Sequence, residues 1–404
     1  MRFDRKQLQA VLDVARSIAA KGPRLTCPIL ANVALFPGER STRVQATNLD
    51  LGMSVSLVTL ADPGDAAVTV NAAHLYAAVK ALPKGQDAVQ VIVLDEARWV
   101  TVHGTKLPTL AAEDFPSVEG RPARSIPCNG LIQALEQVLP AMATDTSRFN
   151  FCCAYLDPAG YVVTTDGHRL HRVARGPFQE PAVKIPDQLA RLLVTPKLTR
   201  LLEGHLDLGL VPRTRTIDHT SQPGWEGDPI EEVPAGEDIY VPIRGGFLLA
   251  RAIDAEFPDH EKVIPKGTGK TVLAFPAENL LAHLDHAMGF LRGIRNYPIE
   301  FQCYKNKVTI FAKSPDVGQL EIDCPEALYS GAPIRIGFNA SYVKAAVTAL
   351  VGTTVAELHF NTEMAPVRIQ DSTGFTSVIM PMRTGRSLPQ EEPEVVEEAS
   401  EAAA

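Results

Sequence analysis

The stretch "TVNAAHLYAAVKALPKG", Thr69 to Gly85, decides the fold. Asn71 stands where a helix N-cap is expected, apolar residues follow at helical spacing, and Pro83 and Gly85 close the segment. Two other stretches are built alike. "LLVTPKLTRLLEGH", Leu192 to His205, opens its helix at Thr195, and "GFNASYVKAAVTALVGT", Gly337 to Thr353, opens at Asn339. A second set of helices accompanies them. Leu131, Leu135, Val138, Leu139 and Met142 make one apolar stripe, and Leu280, Leu284, Ala287, Met288 and Leu291 repeat its stepping. Leu8, Leu12 and Ala15 follow it more loosely.

The two sets share a register. Leu8 to Leu131 is 123 positions, and so is Leu75 to Leu198. The next steps are longer, 149 from Leu131 to Leu280 and 145 from Leu198 to Val343. The added length falls at "VPRTRTIDHTSQPGWEGDPIEEVPAGED", Val211 to Asp238, a stretch rich in Pro, Gly and acids. Three copies of one unit are therefore expected, each of strands with two helices, the middle copy carrying an insertion. The boundaries this gives are 1–125, 126–266 with the insertion at 211–238, and 267–383.

Between the helices the chain alternates with period two, as in "RVQATNLDLGMSVSLVTL", "AVQVIVLDEARWVTVHG" and "APVRIQDSTGFTSVIM". Helices laid on strands of this kind make an α+β fold. After Arg383 the composition changes. Residues 384–404 have few large apolar side chains and many Glu, which offset little of the entropy lost on ordering, so a disordered acidic tail is expected.

A chain of 404 residues exceeds one ordinary core. No apolar run is long enough to span a membrane, and Arg2, Asp4, Arg5, Lys6 and Asp13 among the apolar positions of the first twenty residues do not read as a signal peptide. Six cysteines lack CxxC spacing, which speaks against a zinc site or a disulfide framework, and a protein of the reducing cytoplasm is expected. The net charge of −8 excludes a uniformly basic surface, though not a basic face.

The densest chemistry lies in "YVVTTDGHRLHRV", Tyr161 to Val173. Asp166 and His168 stand at i and i+2, the spacing of a carboxylate and imidazole on one strand face. No Ser or Cys nucleophile sits in a strand-to-helix elbow, however, and no carboxylate cluster points to a metal. Asp-Gly between two β-runs reads as a turn, with Gly167 supplying a positive φ. "PKGTGKT", Pro265 to Thr271, mimics a phosphate loop but has Ile264 where the first Gly belongs. His283 and His286 have ligand spacing without a third partner. No cofactor is implied.

Several segments together resemble the bacterial DNA polymerase III beta subunit family, the sliding clamps. They are "TTDGHRL" (Thr164–Leu170), "VIMPMR" (Val378–Arg383), "FPDHEKVIPK" (Phe257–Lys266), "PRLTCPIL" (Pro23–Leu30), "AEDFP" (Ala112–Pro116) and "YSGAPIRIGFNASYV" (Tyr329–Val343). The similarity runs in order from Met1 to about Arg383. It implies three domains of the DNA-clamp fold, two chains closing head-to-tail into a ring, helices lining the hole and sheets outside. Such a ring is a replicative processivity factor and not an enzyme. It holds double-stranded DNA by non-sequence-specific phosphate contacts.

The resemblance also assigns residues. DNA contact falls to Arg24, to Arg148 and Phe149, and to Asn339 and Tyr342, the last two being equally readable as a helix cap and a core aromatic. Helix faces add Arg5, Arg16, Lys80, Lys84, Lys197, Arg200, Arg292 and Lys344, which without the resemblance read as solvated charges. The replicative polymerase alpha subunit, the clamp loader and other clamp-binding proteins would insert a peptide into an apolar pocket between the second and third domains. Its residues would be Phe151, Thr165, Gly167, His168, Arg169, Leu170, Pro258 and Val263, with Pro366, Val378, Met380, Pro381, Met382 and Arg383. End-strand packing is the ordinary alternative for Met380 and Met382.

The chain departs from the family at three places. Phe151 stands where Leu is usual and would narrow the pocket. The insertion lies in the pocket-bearing domain, as a partner-modulating element or a plain surface loop. The acidic tail runs past the usual end. A diverged paralogue with altered partners or inhibitor binding is thus the second reading, and a hydrolase using Asp166 and His168 the third.

Overall fold

The computed structural model describes the chain except residues 23–24, 62–65, 177–180, 203–205, 219–229, 315–316 and 384–404. Arg24 and the acidic tail therefore lie outside the described residues. The chain divides into two compact units, Met1–Asp259 and the part from His260 onward.

The first unit carries helices α1 (Arg5–Ile18), α2 (Ala72–Lys80), α3 (Leu131–Val138), α4 (Asp187–Leu193) and α5 (Pro196–Thr199). Helix α1 buries Leu8, Val11, Leu12, Ala15 and Ile18 on one face, and Asp4 caps it by accepting from the Gln7 amide at 2.9 Å. Asn71 caps α2 as expected, its side-chain oxygen accepting from the amides of Ala73 and His74. Pro140 turns the end of α3 into a short 3₁₀ segment, Leu139–Ala141.

Twelve strands of this unit form one sheet, running from Arg2–Asp4 at one edge to Arg124–Pro127 at the other. Leu51–Val58 pairs with Gly246–Arg251 inside it, which joins the N-terminal part of the unit to its later strands. Only glycine fits at that seam. A Cβ on Gly246 would lie 2.0 Å from the Ser54 carbonyl oxygen and 2.7 Å from Val55 Cα. Four more strands pair antiparallel in the order Val183–Pro186, Cys153–Asp157, Tyr161–Thr165, Arg169–Ala174.

Two sequence expectations change here. The helix expected to open at Thr195 is only the one-turn α5, and Thr195 makes no capping hydrogen bond. The main helix is α4, which follows strand Val183–Pro186 directly, just as α2 follows Val68–Asn71. It starts at 187 against 72, an offset of 115 instead of 123. Pro196 explains the break: it holds Thr195 extended (φ −83°, ψ 139°) and splits one leucine-rich stripe into two helices.

Residues 219–229 of the insertion lie outside the described residues, and its described flanks form a ribbon. Asp207–Asp218 and Ile230–Ile243 pair antiparallel out to Asp218 opposite Ile230. Among the described residues the flanking strands pair only as far as Leu210 and Asp238, so the outer part has open edges there, which tolerate Pro212 and Pro234. Arg213 braces the base, donating to the Ala235 carbonyl at 2.6 Å and pairing with Asp238 at 3.2 Å, while Arg124 pairs with Glu237 at 2.7 Å.

The second unit carries α6 (Ala277–Phe290) and α7 (Ala340–Thr348). Five of its strands pair in the order Phe375–Ile379, Val367–Gln370, Val355–Phe360, Thr271–Pro276, Leu328–Gly331. Four others run Gly318–Asp323, Lys307–Ser314, Pro298–Tyr304, Ile334–Asn339. Both sheets and both helices contribute to one core, which includes Leu273, Leu280, Leu284, Val343 and Ile379. Phe301, Phe338 and Phe360 meet at its centre with ring centroids 6.2 to 6.5 Å apart.

Candidate functional site

In the first unit the site is built on the hairpin joining Tyr161–Thr165 to Arg169–Ala174. Thr165 pairs with Leu170, and both are buried. The residues between form a closed turn. The Asp166 carboxylate accepts from the amides of His168 (2.9 Å) and Arg169 (3.1 Å), and its second oxygen takes the Arg169 Nε at 3.0 Å. Thr165 Oγ1 donates to the Arg169 carbonyl at 2.7 Å and accepts from the Gly167 amide at 3.1 Å. Gly167 has φ +86°, the left-handed value expected of it.

Arg148 and Phe151 lie against this turn. Arg148 Nη1 donates to the Asp166 carbonyl at 3.0 Å. A Cβ on Gly167 would stand 2.8 Å from Arg148 Nη1 and 3.5 Å from the Phe151 ring. Arg148, read from the resemblance as a DNA contact, thus also braces the turn. Its neighbour Phe149 is 58% exposed. His168 projects into solvent, and Pro258 is exposed beside Phe257, whose ring stacks on Tyr155 at 4.6 Å.

The remaining residues of the expected pocket belong to the second unit. Val263 ends the 3₁₀ turn His260–Val263 and is 49% exposed. Val378 is buried within its strand, whereas Met380 is 45% exposed. Pro366, Pro381 and Met382 are half-buried and Arg383 is exposed. The Met382 amide donates to the Gly337 carbonyl at 2.7 Å, so this end segment is held against strand Ile334–Asn339. Met364, absent from the sequence reading, is 61% exposed. Its only signal was an apolar residue in a turn-rich stretch.

The basic helix residues divide. Lys80, Lys84, Arg200 and Arg292 are exposed. Arg5 is not on an open face: its guanidinium donates to the Leu82 and Pro83 carbonyls at 2.8 and 2.7 Å, closing the C-terminal end of α2. Arg16 pairs with Asp13 at 2.6 Å and stacks over the Tyr76 ring at 4.0 Å. Lys197 approaches the same Asp13 oxygen at 3.4 Å, and Lys344 pairs with Asp285. Asn339 is buried and caps α7 through the Ser341 amide at 2.9 Å, and Tyr342 packs on the core. For these two the structure displays the cap and the core aromatic.

The catalytic alternative loses its base, because Asp166 faces the backbone of His168 and the side chain of Arg169. Burial pushes the thiols of Cys153, Cys303 and Cys324 up to about 12, where they are poor nucleophiles. His283 Nε2 pairs with Glu326 at 2.6 Å. Among the described residues no three His, Cys, Asp or Glu side chains gather as metal ligands, and no helix is long and apolar enough to cross a membrane.

Comparison with known proteins identifies the family. Residues 1–119 match the N-terminal domain of the DNA polymerase III beta subunit, and residues 261–383 match its C-terminal domain. Together these matches span more than half of the chain. The beta sliding clamp of Caulobacter vibrioides is 25% identical over 397 residues, covering 94% of this chain and 99% of that one. That of Escherichia coli K12 is 27% identical over 378 residues, covering 90% and 94%. In fold, the chain is similar to the sliding clamp of Bartonella birtlesii solved bound to griselimycin. The TM-score is 0.78 at 23% identity, over 95% of this chain and 99% of that one.

Proposed function

The chain belongs to the DNA polymerase III beta subunit family and is a DNA sliding clamp; we propose that it works as a head-to-tail ring of two copies around duplex DNA. Each copy contributes three domains, 1–125, 126–266 and 267–383. The observation that carries this reading is the similarity to sliding clamps along nearly the whole chain, with matches at both ends. Grip comes from topology, so the DNA-facing helices need only a diffuse positive field. Lys80 and Arg200 supply it from exposed positions, with Lys197 weakened by Asp13. No catalytic step or cofactor belongs to the clamp itself.

Partners dock through short peptides with Leu and Phe anchors. The Thr165–Leu170 turn with Phe151 and Pro258 supplies one set of contacts, and Val263, Pro366 and Met380–Arg383 the other, backed by the buried Val378. Their chemistry is adaptable apolar contact from Val and Met with a few fixed polar groups. The partners would include the polymerase alpha subunit and the clamp loader, in the cytoplasm at the nucleoid.

A topological test separates a ring from an ordinary DNA binder. Clamp loaded on nicked circular DNA should survive gel filtration in high salt and be released when the circle is cut. Salt-labile retention on the circle, or survival after cutting, would remove the ring. The ribbon and Phe151 also favour a second reading, a clamp of altered partner preference, which would form the ring but reject peptides taken by other clamps.

A further inference from the structure

We propose that Arg368 is a positioning residue of the peptide-binding surface, holding the segment that carries Val263 in register with the strand that carries Val378. The inference rests on the peptide-docking reading given above.

Arg368 stands mid-strand in Val367–Gln370, opposite His359 on one side and Val378 on the other. Directly opposed residues share a sheet face, so these three side chains emerge together. The guanidinium then reaches more than a hundred residues back along the chain. Nη1 donates to the Pro265 carbonyl at 2.9 Å and Nη2 to the Gly267 carbonyl at 2.6 Å. One planar fork satisfying two carbonyls is a task for Arg and not for Lys.

The same segment is fixed again just downstream. A Cβ on Gly269 would stand 2.7 Å from both the amide nitrogen and the carbonyl oxygen of Phe360, so the backbone lies flush on that strand. Thr271 then pairs with Phe360 and the strand Thr271–Pro276 begins. Upstream, the turn ending at Val263 stops two residues before Pro265. Arg368 thus links Val263, 49% exposed, to the strand whose continuation presents Met380, 45% exposed. The phosphate-loop look of Pro265–Thr271 has a different meaning here, since two of its carbonyls face a cation.

The consequence is preorganisation. A side chain already held in place loses little freedom when a ligand docks, whereas a loosened segment must be ordered by the ligand, which weakens binding. Arg368 acts through Val263 and not by touching the ligand.

The test is a double-mutant cycle on the full-length chain, read by anisotropy of a fluorescein-labelled short peptide with Leu and Phe anchors. Val263→Ala and Arg368→Gln should each raise Kd about fivefold. The double variant should be no more than about twofold weaker than Arg368→Gln alone, because Val263 contributes only while it is held. Arg368→Lys should fail to restore affinity and should speed amide exchange at Val263, Ile264, Lys266 and Gly267. Multiplicative losses, wild-type affinity in Arg368→Gln, or unchanged exchange in Arg368→Lys would overturn the proposal. Absence of peptide binding by the wild-type chain would overturn the docking reading and this inference with it, and is seen before any variant is compared.

Discussion

The carboxylate of Asp166 and the guanidinium of Arg169 meet at 3.0 Å across a turn, with side-chain exposures of 17% and 15%. Because that carboxylate also accepts two backbone amides, it organises the loop that would otherwise look most like an active site. Asp166→Ala should lower stability by about 1–3 kcal/mol, the range for leaving part-buried donors without their acceptor. It should also weaken peptide binding. Denaturant melts and the anisotropy titration check both, and full peptide affinity in a destabilised variant would detach the turn from docking.

Gly167→Ala tests the close approach of Arg148. The left-handed φ costs about 1 kcal/mol for a non-glycine residue. The new methyl adds a clash with Arg148 Nη1 at 2.8 Å. Combining it with Arg148→Ala should return the steric part and leave the backbone part. Equal stability of the single and double variants would show that no clash existed.

His171 is wholly buried, and burial pulls its pKa down to about 4 while Nδ1 donates to the Gln137 carbonyl at 2.9 Å. The folded chain therefore keeps this ring neutral where the unfolded chain protonates it. Its contribution is complete above about pH 6.5 and is lost as pH falls toward 4, on the order of 3 kcal/mol in all. Thermal melts from pH 7.5 to 4 should show a fall through that window. His171→Gln should be less stable at neutral pH and lack that part of the fall; an identical pH profile would acquit His171.

On DNA, Arg200→Ala and Lys80→Ala should weaken binding equally on unrelated sequences. Each should reduce the slope of log K against log salt by about 0.9, one phosphate contact apiece. Lys197→Ala should do less, since Asp13 already screens that ammonium at 3.4 Å. A larger effect at Lys197 than at Arg200 would reverse this assignment.

How much could be read from the residues depended on how local their partners are. Asn71 and Asn339 were legible as caps because each bonds amides two or three positions away. The turn at Gly167 was legible for the same reason. Thr195 misled because Pro196 cuts a leucine stripe that has the periodicity of one helix. The ribbon was hidden because its pairing is a property of two strands together, and prolines on open edges look like loop residues. Arg368 was out of reach: nothing near it in sequence announces carbonyls about a hundred residues upstream.

The seam at Gly246 has a mechanical consequence. A hydrogen-bonded sheet that runs unbroken through twelve strands is stiff along its ladder, and there the backbones touch too closely for a side chain to be inserted. The strands of this sheet should then move as one stiff body. In the ring proposed above, a Gly246 substitution would act as an artificial hinge within this sheet, shortening the lifetime of the loaded protein on circular DNA.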